Sequence, residues 1–227
     1  MISYEPKGKK ISIMKDRLST NKDGQLKDME TYYQFQAKIY DATRWTFLYG
    51  RHSILKKIPF DRNLPLQILE VGCGTGTNLI QLAKMFPNAT LLGLDVSGDM
   101  LKIAEEKLSA YKNRVTLIHK PYEQGTEYTG RFDVILFSYA LTMINPQWPD
   151  LVAQVPNDLK EDGVIAVVDF HNANFDFYRK FMRSNHVKLD GHILPVLEKS
   201  FDTKLSKVRK GLLGVWEYML YVGGKKK

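Results

Sequence analysis

The chain has a single cysteine, Cys73, among 227 residues. No intramolecular disulfide can form, which excludes the disulfide-stapled secreted scaffolds and fits a reducing compartment. No apolar run approaches the ~18 residues that a membrane-spanning helix requires. The amino-terminal stretch is polar and lysine-rich and lacks the apolar core of a signal peptide. The expected location is the cytoplasm, free or at a membrane surface. No internal repeat or low-complexity tract is present. Acidic charge is the scarcer sign: 25 Asp and Glu stand against 33 Lys and Arg, a net charge of +8.

What the chain does have is material for a core. Hydrophobic residues make up 44%, and the length suits one α/β domain with a modest amino-terminal extension. The basic surplus lies mostly at the ends: Lys7, Lys9, Lys10, Lys15, Arg17, Lys22 and Lys27 at one, Lys225, Lys226 and Lys227 at the other. Solvated tails account for such a distribution. So does attraction to an anionic lipid surface, where each basic residue adds roughly 1 kcal/mol.

Three segments follow from the changes in texture. Residues 1–28 are a basic arm, expected to be mobile or a short surface helix. Residues 29–60 crowd Tyr32, Tyr33, Phe35, Ile39, Tyr40, Trp45, Phe47, Leu48 and Tyr49 among Lys38, Arg44 and Arg51, which predicts a helical lid or interfacial segment. From residue 61 to the end, strands and helices alternate. Strands are expected at 66–71, 90–96, 115–119, 132–139 and 163–170, with a terminal antiparallel pair at 205–208 and 215–222. Helices are expected at 78–86, 100–111, 151–159, 175–183 and 193–201. The near-continuous apolar run Val164–Val168 predicts a strand buried on both faces. The fold class is therefore α/β: a Rossmann-like, mainly parallel seven-stranded sheet with helices on both faces. In such sheets ligands sit beyond the carboxyl ends of the strands.

The first strand exits through Glu70-Val71-Gly72-Cys73-Gly74-Thr75-Gly76. Glycine lets a ligand approach the backbone closely. The G-x-G-x-G spacing is not the G-x-G-x-x-G of dinucleotide sites, and an acid stands two residues before the first glycine. A second acid, Asp95, ends Leu91-Leu92-Gly93-Leu94-Asp95, where a carboxylate can accept hydrogen bonds from ribose hydroxyls. Together the two segments resemble class I S-adenosylmethionine-dependent methyltransferases over roughly residues 64–170. The resemblance implies S-adenosylmethionine as cofactor, lined by Gly72, Gly74, Gly76 and Asp95, with Met100 near the adenine. Glu70 and the loop backbone are placed to serve the cofactor's amino group. The chain departs from the pattern after the third strand, where Lys120-Pro121-Tyr122-Glu123 replaces an acid and a small residue; backbone groups or Glu123 are the substitutes there. Arg51 is a candidate for a carboxylate of the cofactor or of a substrate headgroup.

A narrower resemblance lies outside this shared core. Ile39-Tyr40-Asp41-Ala42-Thr43-Arg44-Trp45, Leu48-Tyr49-Gly50-Arg51, Ser138-Tyr139-Ala140-Leu141-Thr142-Met143-Ile144, Val167-Val168-Asp169-Phe170-His171 and His186-Val187-Lys188-Leu189-Asp190-Gly191-His192 look like the N-methyltransferase domain of betaine lipid synthases. So do Trp216-Glu217-Tyr218 and Val222-Gly223. The resemblance implies transfer of three methyls to the homoserine amine of a diacylglyceryl lipid. Phosphatidylethanolamine or a soluble amine is the alternative acceptor. A separate partner enzyme is expected to supply the precursor.

N-methylation requires a neutral amine, so a group must take the ammonium proton, and aromatic faces can stabilise the cationic product. The catalytic candidates are Tyr139, Asp169, His171 and Tyr40, with Asp41 in the lid segment and His192 after a glycine in a later loop. No metal site is expected. Nucleic acid is not an expected partner, because the fourth strand exits as Ser138-Tyr139-Ala140-Leu141 and not as an Asn/Asp-Pro-Pro-Tyr-type motif.

Overall fold

The computed structural model describes residues 48–125, 127–144, 146–175, 179 and 189–226. The basic arm, Tyr40 and Asp41, His186 and most of the expected 175–183 helix lie outside the described residues.

Among the described residues five α-helices and seven strands follow one another: α1 (Arg51–Leu55), β1 (Gln67–Val71), α2 (Thr77–Met85), β2 (Thr90–Asp95), α3 (Gly98–Leu108), β3 (Val115–His119), β4 (Phe132–Ser138), α4 (Trp148–Asp158), β5 (Leu159–Ala173), α5 (Ile193–Ser200), β6 (Asp202–Gly211) and β7 (Trp216–Gly224). The sheet order is β3-β2-β1-β4-β5-β7-β6. The first five strands pair in parallel, and β7 runs antiparallel to both β5 and β6. The order reverses between β1 and β4. All five parallel strands end on one edge, and their exits face the crevice where ligands bind in open α/β sheets.

Alternation along the strands feeds two apolar layers. Ile68, Val134, Leu136, Val164, Ala166 and Val168 pack on one face with Ile54, Leu55, Leu79, Leu82 and Leu101. Leu69, Val71, Ile135, Phe137, Ile165 and Val167 pack on the other with Trp148, Leu151, Val155, Ile193 and Leu197. Leu48, Ile54, Leu55 and Ile58 belong to the first layer, so the chain just before the first strand is part of this core. Val164 to Val168 are all fully buried, as their unbroken apolar run requires.

β5 and α4 are among the elements that differ from the sequence expectation. β5 starts at Leu159 and runs to Ala173, because Leu159 pairs with Phe132 across a register shift and the strand continues along β7 past Phe170. α4 begins at Trp148 with a proline in its first turn, where a missing amide donor costs nothing. α3 is capped by Ser97, whose Oγ accepts from the Met100 amide at 3.4 Å. No helix among the described residues is long and apolar enough to cross a membrane.

Candidate active site

β1 ends in a buried carboxylate. Glu70 is 1% exposed. Asn78 Nδ2, from the first turn of α2, donates to Glu70 Oε1 at 2.6 Å, and Arg51 Nε donates to Asn78 Oδ1 at 3.2 Å. Glu70 Oε2 is buried and has no partner. Burial pushes this carboxyl up to about 7, against the Asn78 hydrogen bond and the Arg51 charge and with the help of Asp95. Asn78 was not singled out from the sequence. Its signal was a polar residue two positions after Gly76, on the face of α2 that is otherwise Leu79, Leu82 and Ala83.

The loop after β1 is tied to the loop after β2. Gly72 N and Cys73 N both donate to Leu94 O, at 2.8 and 3.0 Å. Gly74 N donates to Asp95 Oδ2 at 2.7 Å, and Ser97 N donates to Asp95 Oδ1 at 2.9 Å. Gly74 has φ +54°, and a Cβ built on it meets nothing within 4 Å. The space above Gly74 is open, as a loop that receives a ligand needs. Gly76 is glycine for a different reason: a Cβ there would lie 2.8 Å from Leu108 Cδ1.

Beside Asp95, Val96 is 69% exposed, and Met100 is half-buried on the first turn of α3. His119 Nε2 bonds Val96 O at 2.9 Å and so braces this turn from β3. Neither Val96 nor His119 stood out in the sequence. Glu123 is exposed in the loop after β3 and lines a cavity with Lys120, Gly125, Tyr128 and Asp158. That cavity includes none of Gly74, Asp95 or Met100.

A second group gathers at the exits of β4 and β5. Tyr139 has φ +57°, unusual for a bulky residue. Its amide donates to Val168 O at 2.8 Å, its hydroxyl donates to Tyr49 O at 2.7 Å, and its ring meets Phe170 edge-on at 4.7 Å. Asp169 is fully buried. Its Oδ1 accepts from Thr142 Oγ1 at 2.5 Å and from Phe170 N at 2.8 Å, and its Oδ2 accepts from Thr142 N at 3.2 Å. Burial raises its pKa to about 6 against those bonds. Asp169 thus pins the turn that carries Thr142.

His171 and His192 come together through Gly191. The Gly191 amide donates to His171 O at 2.8 Å, and a Cβ on Gly191 would lie 3.2 Å from His171 Cε1. His171 Nδ1 is buried without a partner. His192 Nδ1 bonds the Asp190 carboxylate, its ring lies 5.1 Å from that of Trp148, and its Nε2 is buried without a partner. Ser138 Oγ is in the same condition. Unpartnered buried polar atoms therefore stand at the ends of β1, β4 and β5, along the edge where the topology expects a ligand. Buried polar groups without partners call for an explanation, and a bound ligand is one. Among the described residues no three His, Cys, Asp or Glu side chains group to hold a metal ion.

A family described as a methyltransferase domain matches residues 68–163. Over that span the chain is similar to a methyltransferase domain. A trans-aconitate 2-methyltransferase of Deinococcus radiodurans is 32% identical over 142 residues, 61% of this chain and 46% of that protein. A malonyl-[acyl-carrier protein] O-methyltransferase of Halalkalibacterium halodurans is 28% identical over 153 residues, 63% of this chain and 54% of that protein. The chain thus spans about half the length of the curated relatives it matches. The 1,6-didemethyltoxoflavin-N1-methyltransferase of Burkholderia thailandensis, solved with S-adenosylhomocysteine, shares the fold at a TM-score of 0.64 and 14% identity, over 100% of this chain and 93% of that one. Glu70, the glycine loop, Asn78, Asp95 and Met100 fall inside the matched span, whereas Arg51, Asp169, His171 and His192 fall outside it.

Proposed function

We propose that this chain methylates the amine of a lipid headgroup, with a homoserine-type diacylglyceryl lipid as acceptor and S-adenosylmethionine as donor. The observation that carries the donor side is Glu70 Oε2, buried and unpartnered on the strand that leads into the open Gly74. S-adenosylmethionine bears an ammonium that such an oxygen can accept from. Asp95, held by Gly74 N and Ser97 N, keeps further lone pairs for the ribose hydroxyls. Val96 and Met100 offer apolar surface to the adenine. Arg51, tied to Asn78, keeps its guanidinium terminus for a carboxylate of cofactor or headgroup.

The chemistry the cofactor supplies when bound is a sulfonium methyl open to in-line displacement, so the protein's tasks are placement and proton removal. His192, with Asp190 on Nδ1, presents Nε2 as a lone pair for the acceptor's proton. His171 Nδ1 stands in the adjoining segment. Tyr139 and Asp169 act as positioning residues in this arrangement, because their polar atoms hold Tyr49 O and the Thr142 turn. The acceptor class is supported by the segments around Tyr139, Asp169 and Asp190–His192 that resemble betaine lipid synthases.

The curated relatives favour a second reading, methyl transfer to a small acid, since one is named for trans-aconitate. Incubation of the full chain with S-adenosylmethionine and either a homoserine-type lipid precursor, phosphatidylethanolamine or trans-aconitate separates the two. Mass gains of one to three methyls on the homoserine lipid are expected. A product from trans-aconitate alone would replace the lipid reading, and no cofactor binding in calorimetry would remove both.

A further inference from the structure

The β6–β7 hairpin ends in an apolar tip that the fold does not use. Leu212 is 42% exposed and Leu213 is 106% exposed. Both have positive φ, +29° and +53°, a backbone conformation that branched side chains avoid. Such strain persists only where the surroundings impose it, and it marks functional segments more often than idle ones. The tip is anchored from below: Asn174 Nδ2 donates to Gly214 O at 2.7 Å and Asn174 N to Val215 O at 3.2 Å. Gly211 lets the turn close on Trp216, since a Cβ there would lie 2.7 Å from the indole nitrogen.

The charge around the tip has one sign. Lys204, Lys207, Arg209 and Lys210 on β6 are exposed, as is Val208. From Leu205 to Val222 the hairpin has one acid, Glu217, opposite Lys210 in the register. β6 is the outer strand of the sheet, and lysine on an outer strand guards against edge-to-edge pairing. That accounts for the charge. It does not account for two leucines held out in water beyond it.

The tip's position gives the pair a use. Trp216 pairs with Ala173 at the carboxyl end of β5, so the hairpin projects from the same edge as the exits of β1, β4 and β5. Phe175, 49% exposed, follows β5 on that edge.

We propose that Leu212 and Leu213 insert into an anionic phospholipid surface, with Lys207, Arg209 and Lys210 on its headgroups, and set the ligand edge of the sheet against the bilayer. Apolar side chains backed by cations are the composition that binds such an interface. The proposal gives the lipid-acceptor reading its route to substrate and rests on that reading for its purpose, though not for its geometry.

The test uses the full chain and phosphatidylcholine vesicles with or without phosphatidylglycerol. Co-sedimentation is expected with the anionic vesicles and is expected to weaken with salt. Leu212→Ser with Leu213→Ser should lower partitioning at least about tenfold, with S-adenosylmethionine affinity unchanged as the check on folding. An independent readout is an environment-sensitive dye on Leu213→Cys, since Cys73 is buried. Its emission should shift to the blue on anionic vesicles only. Equal vesicle binding by the double variant, a dye that does not respond, or a tip that instead mediates self-association in light scattering would each overturn the proposal. Vesicle binding through the tip without lipid methylation would sink the acceptor reading and leave the surface standing.

Discussion

Asn78 holds Glu70 Oε1 at 2.6 Å, while Glu70 Oε2 is just as buried and bonds nothing. A carboxyl so placed is half satisfied. Its remaining oxygen raises the energy of the charged form until a cation arrives, and Arg51, bonded to Asn78, lowers that energy only in part. The group is set to respond to an ammonium.

This has a proton signature. The folded pKa of about 7 lies above the ordinary 4.5, so Glu70 contributes stability that is fully present below 4.5 and lost as pH rises through 7. A bound ammonium favours the carboxylate. Binding at pH 6 should therefore release close to one proton, and affinity should weaken below pH 7 toward about tenfold per pH unit. Calorimetry in buffers of different ionisation enthalpy measures the release directly. Glu70→Gln should abolish it. Affinity independent of pH, with no proton released, would place the ammonium elsewhere.

Asp95 does two things at once. It bonds Gly74 N and Ser97 N, and in the proposed function its remaining lone pairs serve the ribose hydroxyls. Asp95→Ala should weaken S-adenosylmethionine binding by roughly 1.5–3 kcal/mol, the scale for losing hydrogen bonds to a charged group. Asp95→Asn keeps one acceptor oxygen and should fall between. Unchanged affinity in a folded alanine variant, read by calorimetry beside a thermal melt, would show that the ribose lies elsewhere.

The parallel sheet was legible because its strands are short apolar runs ended by turn residues, and β3 falls on the expected Val115–His119. The glycine loop and Asp95 were legible as the turns that end β1 and β2, because each is written in a few adjacent positions, and Gly74 N bonds Asp95 Oδ2 between them. Asn78 and His119 were not, since each matters through a partner distant in sequence, Glu70 in one case and Val96 O in the other. The exposed hairpin tip was hidden for a related reason: Leu212 and Leu213 look like core residues until the register of β6 and β7 puts them past the last pair, Gly211 with Trp216.

Asp169 makes a stability prediction. Its pKa of about 6 lies above the ordinary 3.8, so it too contributes stability present below 3.8 and lost as pH rises through 6. Asp169→Ala would leave the Thr142 amide, the Thr142 hydroxyl and the Phe170 amide without their acceptor. The expected loss is roughly 2–4 kcal/mol, read as a lower urea midpoint with an unchanged slope. A loss under about 0.5 kcal/mol, the range of ordinary surface changes, would mean that the Thr142 turn is held by other contacts.

His192 supplies the sharpest test of the acceptor. If its Nε2 takes the proton of an ammonium, His192→Gln should lower kcat by about 10²–10⁴ with cofactor affinity unchanged. The deficit should narrow as pH rises, because an alkylamine near pKa 10 gains free base on its own, about tenfold per pH unit. Asp190→Asn should lower kcat less and show the same recovery, since it disturbs the partner on Nδ1 and leaves Nε2 in place. A residue that merely packs on Trp148 would give a deficit constant with pH. So would a base assigned to the wrong chemistry: a carboxylate acceptor is already deprotonated at neutral pH and has no proton to lose. With a homoserine-type amine as acceptor, the pH profile of this variant therefore tells a proton-abstracting His192 from a packing residue.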